Sequence, residues 1–204
     1  MPVNSHDHVD SHEHHNSNHL MNFAEREKLL PSRQILEHFG LKPGDSLADL
    51  GCGFGFFALR AAEMVGPRGK IEAVDVEPER LKVLAARAEE RQVRERIHIH
   101  QAEDESVPLP AESVAIVLIA GVLHELGDPL AYLREAWRIL SAGGRIWIIE
   151  WQKKETPMGP PLADRKSAQE WSSLLEAAGF GNIWFQPLAP GHVLLKAAKV
   201  SHMA

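Results

Sequence analysis

Asp49, Gly51, Gly53 and Gly55 stand at alternate positions in the run Leu47-Ala-Asp-Leu-Gly-Cys-Gly-Phe-Gly-Phe-Phe-Ala-Leu59. A short apolar strand pattern passes there through three glycines into a helix pattern. Glycine lacks Cβ, reaches positive φ, and lets a ligand lie against main-chain N–H groups at a helix start. Asp75 closes a second apolar run, Ile71-Glu-Ala-Val-Asp-Val76, roughly 20 residues on, at the separation where an acid receives ribose hydroxyls in nucleotide-binding folds. The chemistry is recognition of a nucleoside. The dinucleotide fingerprint needs glycine at position 56, where Phe56 stands. Two plainer readings compete: a glycine-rich stretch is often only a turn, and Asp75 can cap the helix opened by Pro78. The register of the acid with the glycines favours ribose binding.

His124 is the candidate general base. It follows Val114 to Ala120, a nearly continuous apolar run that reads as a central parallel strand buried on both faces. Ligands in open α/β sheets lie beyond the carboxyl ends of the strands, which puts His124 at the right edge. A structural histidine hydrogen-bonded under the next loop is the competing reading. Glu150 leaves the next strand at the same edge, either to orient a substrate or as an ordinary strand-end acid. The stretch from Trp151 to Lys166, with Pro157-Met-Gly-Pro-Pro161 inside it, is longer than a minimal connection and reads as a lid or as surface variation.

The elements that position these residues alternate strand and helix, which implies a parallel sheet covered on both faces. Expected strands are Leu47 to Leu50, Ile71 to Val74, Ile97 to Ile99, Val114 to Ala120 and Ile146 to Glu150. A helix follows the glycines to about Val65, and Leu81, Leu84, Ala85 and Ala88 mark the buried face of the next. Asp128-Pro129 caps a helix with a stripe of Leu130, Leu133, Trp137 and Leu140, and Gly143-Gly144 is expected to end it. Ser167 and Glu170 form a capping-box pattern, and Gly179 closes that helix. Ile183 to Phe185 and His192 to Ala198 read as a terminal antiparallel pair. Trp137, Trp147, Trp171 and Trp184 read as core.

From Leu41 to Lys199 this order resembles the class I S-adenosylmethionine-dependent methyltransferases, and most closely their menaquinone and ubiquinone methyltransferase-like (type 11) group. The marks are Asp49-Leu-Gly-Cys-Gly-Phe-Gly55, Val74-Asp-Val76, Val122-Leu-His-Glu125, Arg138-Ile-Leu-Ser-Ala-Gly-Gly-Arg145 and Ala178-Gly-Phe180. The resemblance implies an α/β fold: a Rossmann-like, seven-stranded, mostly parallel sheet with an antiparallel last strand and helices on both faces. It implies S-adenosylmethionine as cofactor, with the methionine part at Asp49, Gly51, Gly53 and Gly55, the ribose at Asp75 and the adenine flanked by Val76. Relatives often carry an acid after the third strand for the adenine amino group; Gln101 and Glu103 are nearest, and Glu103 is the choice. Ala120 should pass close to the cofactor. Ala115 departs from the aspartate that often starts the fourth strand. The implied activity is methyl transfer to an unidentified small-molecule acceptor, an in-line displacement in which the protein supplies alignment and a dry pocket. A base, His124, is needed only if the acceptor must lose a proton. A non-catalytic S-adenosylmethionine-binding or metal-binding protein is the alternative.

Composition bounds the rest. The 204 residues suffice for one α/β domain, expected over residues 41–200, with short extensions. A net charge of -6 with scattered Lys and Arg argues against a nucleic-acid partner. The single cysteine, Cys52, forms no intramolecular disulfide and suits a reducing cytosol. No apolar stretch reaches membrane-spanning length and no signal-peptide core opens the chain, so the expectation is a cytoplasmic protein without stable membrane insertion. Residues 1–19 carry His6, His8, His12, His14, His15 and His19 among acids; they are expected to be disordered and to have some affinity for divalent metals, without the spacing of a structural site. Residues 20–40 are expected to form a helical cap, over the cofactor or simply against the sheet. Monomer and homodimer both stay open.

Overall fold

The computed structural model describes residues 23–188 and 191–200. The histidine tract and its expected metal affinity lie outside them. Seven strands form one sheet: β1 (Ser46–Leu50), β2 (Lys70–Asp75), β3 (Ile97–Gln101), β4 (Val114–Ala120), β5 (Leu140–Trp151), β6 (Phe180–Leu188) and β7 (His192–Lys199), in the order β3-β2-β1-β4-β5-β7-β6. The first five strands run parallel, and β7 runs antiparallel to both β5 and β6. The helices are α1 (Phe23–Leu29), α2 (Ser32–Phe39), α3 (Phe56–Val65), α4 (Pro78–Glu90), α5 (Pro129–Ile139) and α6 (Ala168–Ala177).

Side chains alternate across a strand, so the apolar run of β4 feeds two cores. Ile116 and Leu118 pack with Ile35, Leu36 and Phe39 of α2, Leu59 of α3 and Leu84 of α4. Val117 and Ile119 pack with Leu133 and Ile139 of α5 and Trp171 and Leu175 of α6. The sheet is thereby covered on both faces. Trp147 is fully buried and stacks on Phe39 at 5.1 Å, and Trp171 is buried on the other face.

Several boundaries differ from the sequence reading, among them β6, which runs over Phe180–Leu188 where Ile183 to Phe185 is expected. Helix α5 ends at Ile139, and Gly143-Gly144 lie inside β5. Leu140 pairs with Val114 and the next partner pair is Arg145 and Ile116, so the glycines form an excursion within the strand. Ser141 Oγ donates to Val114 O at 3.0 Å and Lys199 Nζ donates to Leu140 O at 2.7 Å, which holds Leu140 in the sheet. A Cβ at Gly144 would sit 2.9 Å from Ser141 O, so that glycine serves the excursion. Strand β3 runs to Gln101, two residues past the expected end. The capping box of α6 is present, with Ser167 Oγ accepting from Glu170 N and Glu170 Oε2 accepting from Ser167 N. Among the described residues no helix is long and apolar enough to cross a membrane.

Candidate functional site

A cavity of about 600 Å³ opens where the parallel strands end. Its floor is the loop after β1. Gly51 N and Cys52 N both donate to Val74 O, at 2.8 and 3.0 Å, which clamps the loop to the end of β2. Gly51 has φ +75°, and a Cβ there would lie 2.4 Å from Val122 Cγ2, so the turn after β4 can close against it only if residue 51 is glycine. At Gly53, φ +53°, a Cβ would meet nothing within 4 Å. That open face belongs to the cavity.

Asp75, 5% exposed, accepts from Gly53 N at 2.7 Å and from Glu77 N at 3.0 Å. Each carboxylate oxygen has a second lone pair for a ligand. Asp49 is 2% exposed, and its Oδ2 has no hydrogen-bond partner among the described residues. Burial raises its pKa to about 7, and the neighbouring Asp75 adds to this while Arg26 and a backbone hydrogen bond from Ala58 oppose it. Arg26 reaches the cavity from α1 and lies over the Phe56 ring at 4.7 Å. Leu29 at the end of α1 and Leu30 just after it also line the cavity, so this end of the first helix borders the site.

Asp49, Gly51, Gly53, Asp75, Val76 and Ala120 all line the cavity. Gly55 and Glu103 are not among its lining residues. A Cβ at Gly55 would strike Leu84 Cδ1 at 2.3 Å, so that glycine serves the packing of α3 on α4. Glu103 is exposed with its main-chain N–H on Ser106 Oγ, and Ala102, Asp104 and Glu105 line the cavity instead. Strand β3 runs to Gln101 and Asp104 takes a positive φ of 50°, so the chain faces the site on either side of Glu103 while Glu103 itself is exposed. The cysteine in the loop, Cys52, has its thiol pKa pushed up by burial and by Asp49 and Asp75, which keeps it protonated and unreactive.

His124 lies at the expected edge but is not a cavity-lining residue. Its Nδ1 is 2.8 Å from Oε2 of Glu150, a carboxylate that is fully buried. The same carboxylate accepts from Val122 N at 3.1 Å and Leu123 N at 2.8 Å through Oε1. Glu150 thus neither orients a substrate nor stands exposed; it ties down the turn after β4. Burial alone lowers the pKa of His124, but the hydrogen bond and charge of Glu150 prevail and raise it.

The far wall consists of Ile149, Trp151 and His192. The His192 ring sits 4.1 Å from that of Trp151, tilted by 37°. Burial, with the charges of Arg26, Arg165 and His124, lowers its pKa to about 4, so the imidazole is neutral at ordinary pH. Behind this wall the long connection after β5 is organised by Arg165, which donates to Pro160 O, Lys154 O and Thr156 Oγ1, each at 2.8 Å, and lies over the Trp151 ring.

Sequence reasoning missed Arg26, His192 and the acids at 104 and 105. The available signal for His192 was topological: a final antiparallel strand begins at the edge where parallel strands end. Among the described residues there is no group of three or more metal-ligating side chains.

The model of the ubiE/COQ5 methyltransferase family matches residues 6–161. A ubiquinone/menaquinone biosynthesis C-methyltransferase UbiE of Ectopseudomonas mendocina is 30% identical over 135 residues, 66% of this chain and 53% of that protein. The homologous protein of Shewanella oneidensis is 29% identical, over 60% of this chain and 49% of its own. The chain thus spans about half the length of the curated relatives it matches. Among solved structures, a SAM-dependent methyltransferase from Aquifex aeolicus superposes with a TM-score of 0.80 at 30% identity, covering 86% of this chain and 93% of that one. Geranyl diphosphate C-methyltransferase from Streptomyces coelicolor A3(2), with a TM-score of 0.72 at 16% identity over 86% of this chain and 77% of its own, shares the fold.

Proposed function

The chain belongs to the ubiE/COQ5 methyltransferase family, and on that premise we propose that it transfers a methyl group from S-adenosylmethionine to a carbon of a small-molecule acceptor. The observation that carries this is the buried, unpartnered Oδ2 of Asp49 beside the open glycine at 53. A buried carboxylate oxygen without a donor is costly, and a ligand ammonium would satisfy it. The cofactor fits the donor set. Asp49 would hold the ammonium and Arg26 the carboxylate, and Gly51 and Gly53 would leave room along the main chain. Asp75 would receive the ribose hydroxyls, Val76 would flank the adenine, and the cavity-lining acids Asp104 and Glu105, rather than Glu103, would serve its amino group. When bound, the cofactor supplies an electrophilic methyl group on a sulfonium sulfur.

The protein's own contribution is alignment and exclusion of water. Leu29, Leu30 and Ile149 line the cavity with apolar surface, and Ala120 leaves space at the end of β4. His124 acts through Glu150: the pair holds the main chain of residues 122–123, and the Val122 side chain lies against Gly51. It is a positioning residue.

The names of the relatives make a quinone precursor the first acceptor to try. The test follows labelled methyl groups from S-adenosylmethionine into reduced benzoquinone and naphthoquinone acceptors while measuring S-adenosylhomocysteine. Acceptor-dependent formation of both products is expected. Tight cofactor binding with no turnover on any acceptor would favour a non-catalytic binding protein.

A further inference from the structure

We infer that His192 is the hydrogen-bond donor that reads an oxygen of the methyl acceptor, and that with Trp151 it forms the wall selecting a flat, oxygen-bearing molecule. This rests on the methyltransferase reading above.

The topology brings the residue there. Because β7 runs against its neighbours, its first residue lies at the edge where β1, β4 and β5 finish. His192 pairs with Trp151 of β5 on one side and Leu188 of β6 on the other. Its carbonyl also accepts from Gln152 Nε2 at 2.5 Å. The main chain is held on both sides, and the ring is held against Trp151, so the imidazole is presented in one orientation.

The ring's hydrogen bonding is incomplete. Among the described residues Nδ1 is sealed from solvent without a partner, and Nε2 is not among the atoms so sealed. A neutral imidazole carries its proton on one nitrogen and a lone pair on the other. Among main-chain groups a buried N–H without an acceptor is rarer than a carbonyl short of a donor; by the same cost we assign the lone pair to the sealed Nδ1 and the proton to Nε2. The residue lines the cavity, and Nε2 is the nitrogen left to serve it. The cavity is therefore offered a donor.

The surrounding charges say what that donor meets. Arg26 from α1, Arg165 from the connection after β5 and His124 from the turn after β4 all act on the ring, and all three disfavour its protonation. The same field favours an oxygen bearing full or partial negative charge and disfavours an amine. Arg26 is taken up by the cofactor carboxylate in the loaded protein, so the lasting charge is that of Arg165, which spends its donors on oxygens of its own loop and acts as a fixed charge. The acceptor that this wall fits is a flat molecule that brings a hydroxyl, oxyanion or carbonyl oxygen to His192.

The test uses two probes of one shape, 2-naphthol and 2-methylnaphthalene, titrated by fluorescence into full-length protein saturated with S-adenosylhomocysteine. The wild type should prefer 2-naphthol by about fivefold or more, the equivalent of one hydrogen bond. His192→Phe, which keeps a ring against Trp151, should lose that preference, and His192→Gln, which returns a donor near the Nε2 position, should recover part of it. Affinity for S-adenosylhomocysteine should be the same in all three and reports that each is folded. In 15N-imidazole-labelled wild type, His192 should show the Nε2–H tautomer and shift with 2-naphthol alone. A preference that survives in His192→Phe, the absence of any preference in the wild type, or an Nδ1–H tautomer overturns the inference. Failure of the wild type to bind S-adenosylhomocysteine would instead remove the methyltransferase reading, and the inference with it.

Discussion

The carboxylate of Asp75 accepts a 2.7 Å hydrogen bond from the backbone N–H of Gly53, joining the end of β2 to the loop after β1. The acid assigned to the ribose therefore also shapes the floor on which the methionine part would lie. Asp75→Ala should weaken S-adenosylhomocysteine binding by about 1.5 to 3 kcal/mol, since a charged hydrogen-bond acceptor is lost. Asp75→Asn should fall between, because an amide oxygen can accept from Gly53 or from Glu77 but not both. Calorimetry showing unchanged affinity in folded Asp75→Ala would take this residue out of the site.

The glycines of the loop should separate by substitution. Gly51→Ala puts a Cβ at positive φ and 2.4 Å from Val122, so it should cost about 1 to 3 kcal/mol of stability, read from urea unfolding. Gly53→Leu meets only the backbone cost of a left-handed residue, about 1 to 2 kcal/mol, because its side chain enters open space. Its defect should be in binding, with the cavity blocked. Equal binding by Gly53→Leu and wild type would show that the ligand does not cross this glycine.

Asp49 should make cofactor binding depend on pH. Its pKa is raised from 3.8 to about 7, chiefly by burial, so the free protein holds a proton there that a bound ammonium would displace. Affinity should rise with pH up to about 7 and then level off, with proton release in calorimetry at lower pH in buffers of different ionisation enthalpy. The sign for stability is opposite. A folded-state pKa above the unfolded value favours the fold at low pH, and that contribution is lost as pH rises to 7, at no more than about 1.4 kcal/mol per pH unit. Asp49→Asn should remove both dependences, and heats independent of buffer would contradict the assignment.

His124→Asn tests positioning against proton transfer. The variant leaves Glu150 buried without its imidazole partner, so stability should fall by about 1 to 3 kcal/mol. The pKa of His124 is raised by Glu150. Its contribution is thus fully present below the ordinary value of 6.5 and is lost as pH rises through the higher folded value. Thermal unfolding at pH 6 and pH 9, as approximate limits of the histidine range, should show the variant's deficit shrinking at the higher pH. A variant as stable as wild type with a turnover loss of roughly 100-fold would return His124 to the role of base.

Much of this arrangement was legible in the sequence because it is local. Alternate glycines and an acid at the end of the next apolar run specify β1, its loop and β2 together, and the long apolar run of β4 specifies a strand buried twice. What was not legible depends on where distant segments meet. Gly143-Gly144 look like a helix stop, but Leu140 is drawn into the sheet by Val114 and Lys199. Glu103 and its neighbours differ only in how the chain turns after β3. Arg26 acts on Asp49 because α1 is held over the start of α3, with Phe23 edge-on to Phe56, and His192 arrives by the reversal of β7. No spacing rule along the chain carries either one.

The most direct measurement is an isothermal titration of the full-length protein with S-adenosylhomocysteine, repeated on Gly53→Leu and with NAD as a control ligand. Saturable binding of one molecule per chain by the wild type, its loss in a folded Gly53→Leu, and no comparable binding of NAD are expected. Absence of binding by folded wild-type protein, or tight binding of NAD in its place, would contradict it.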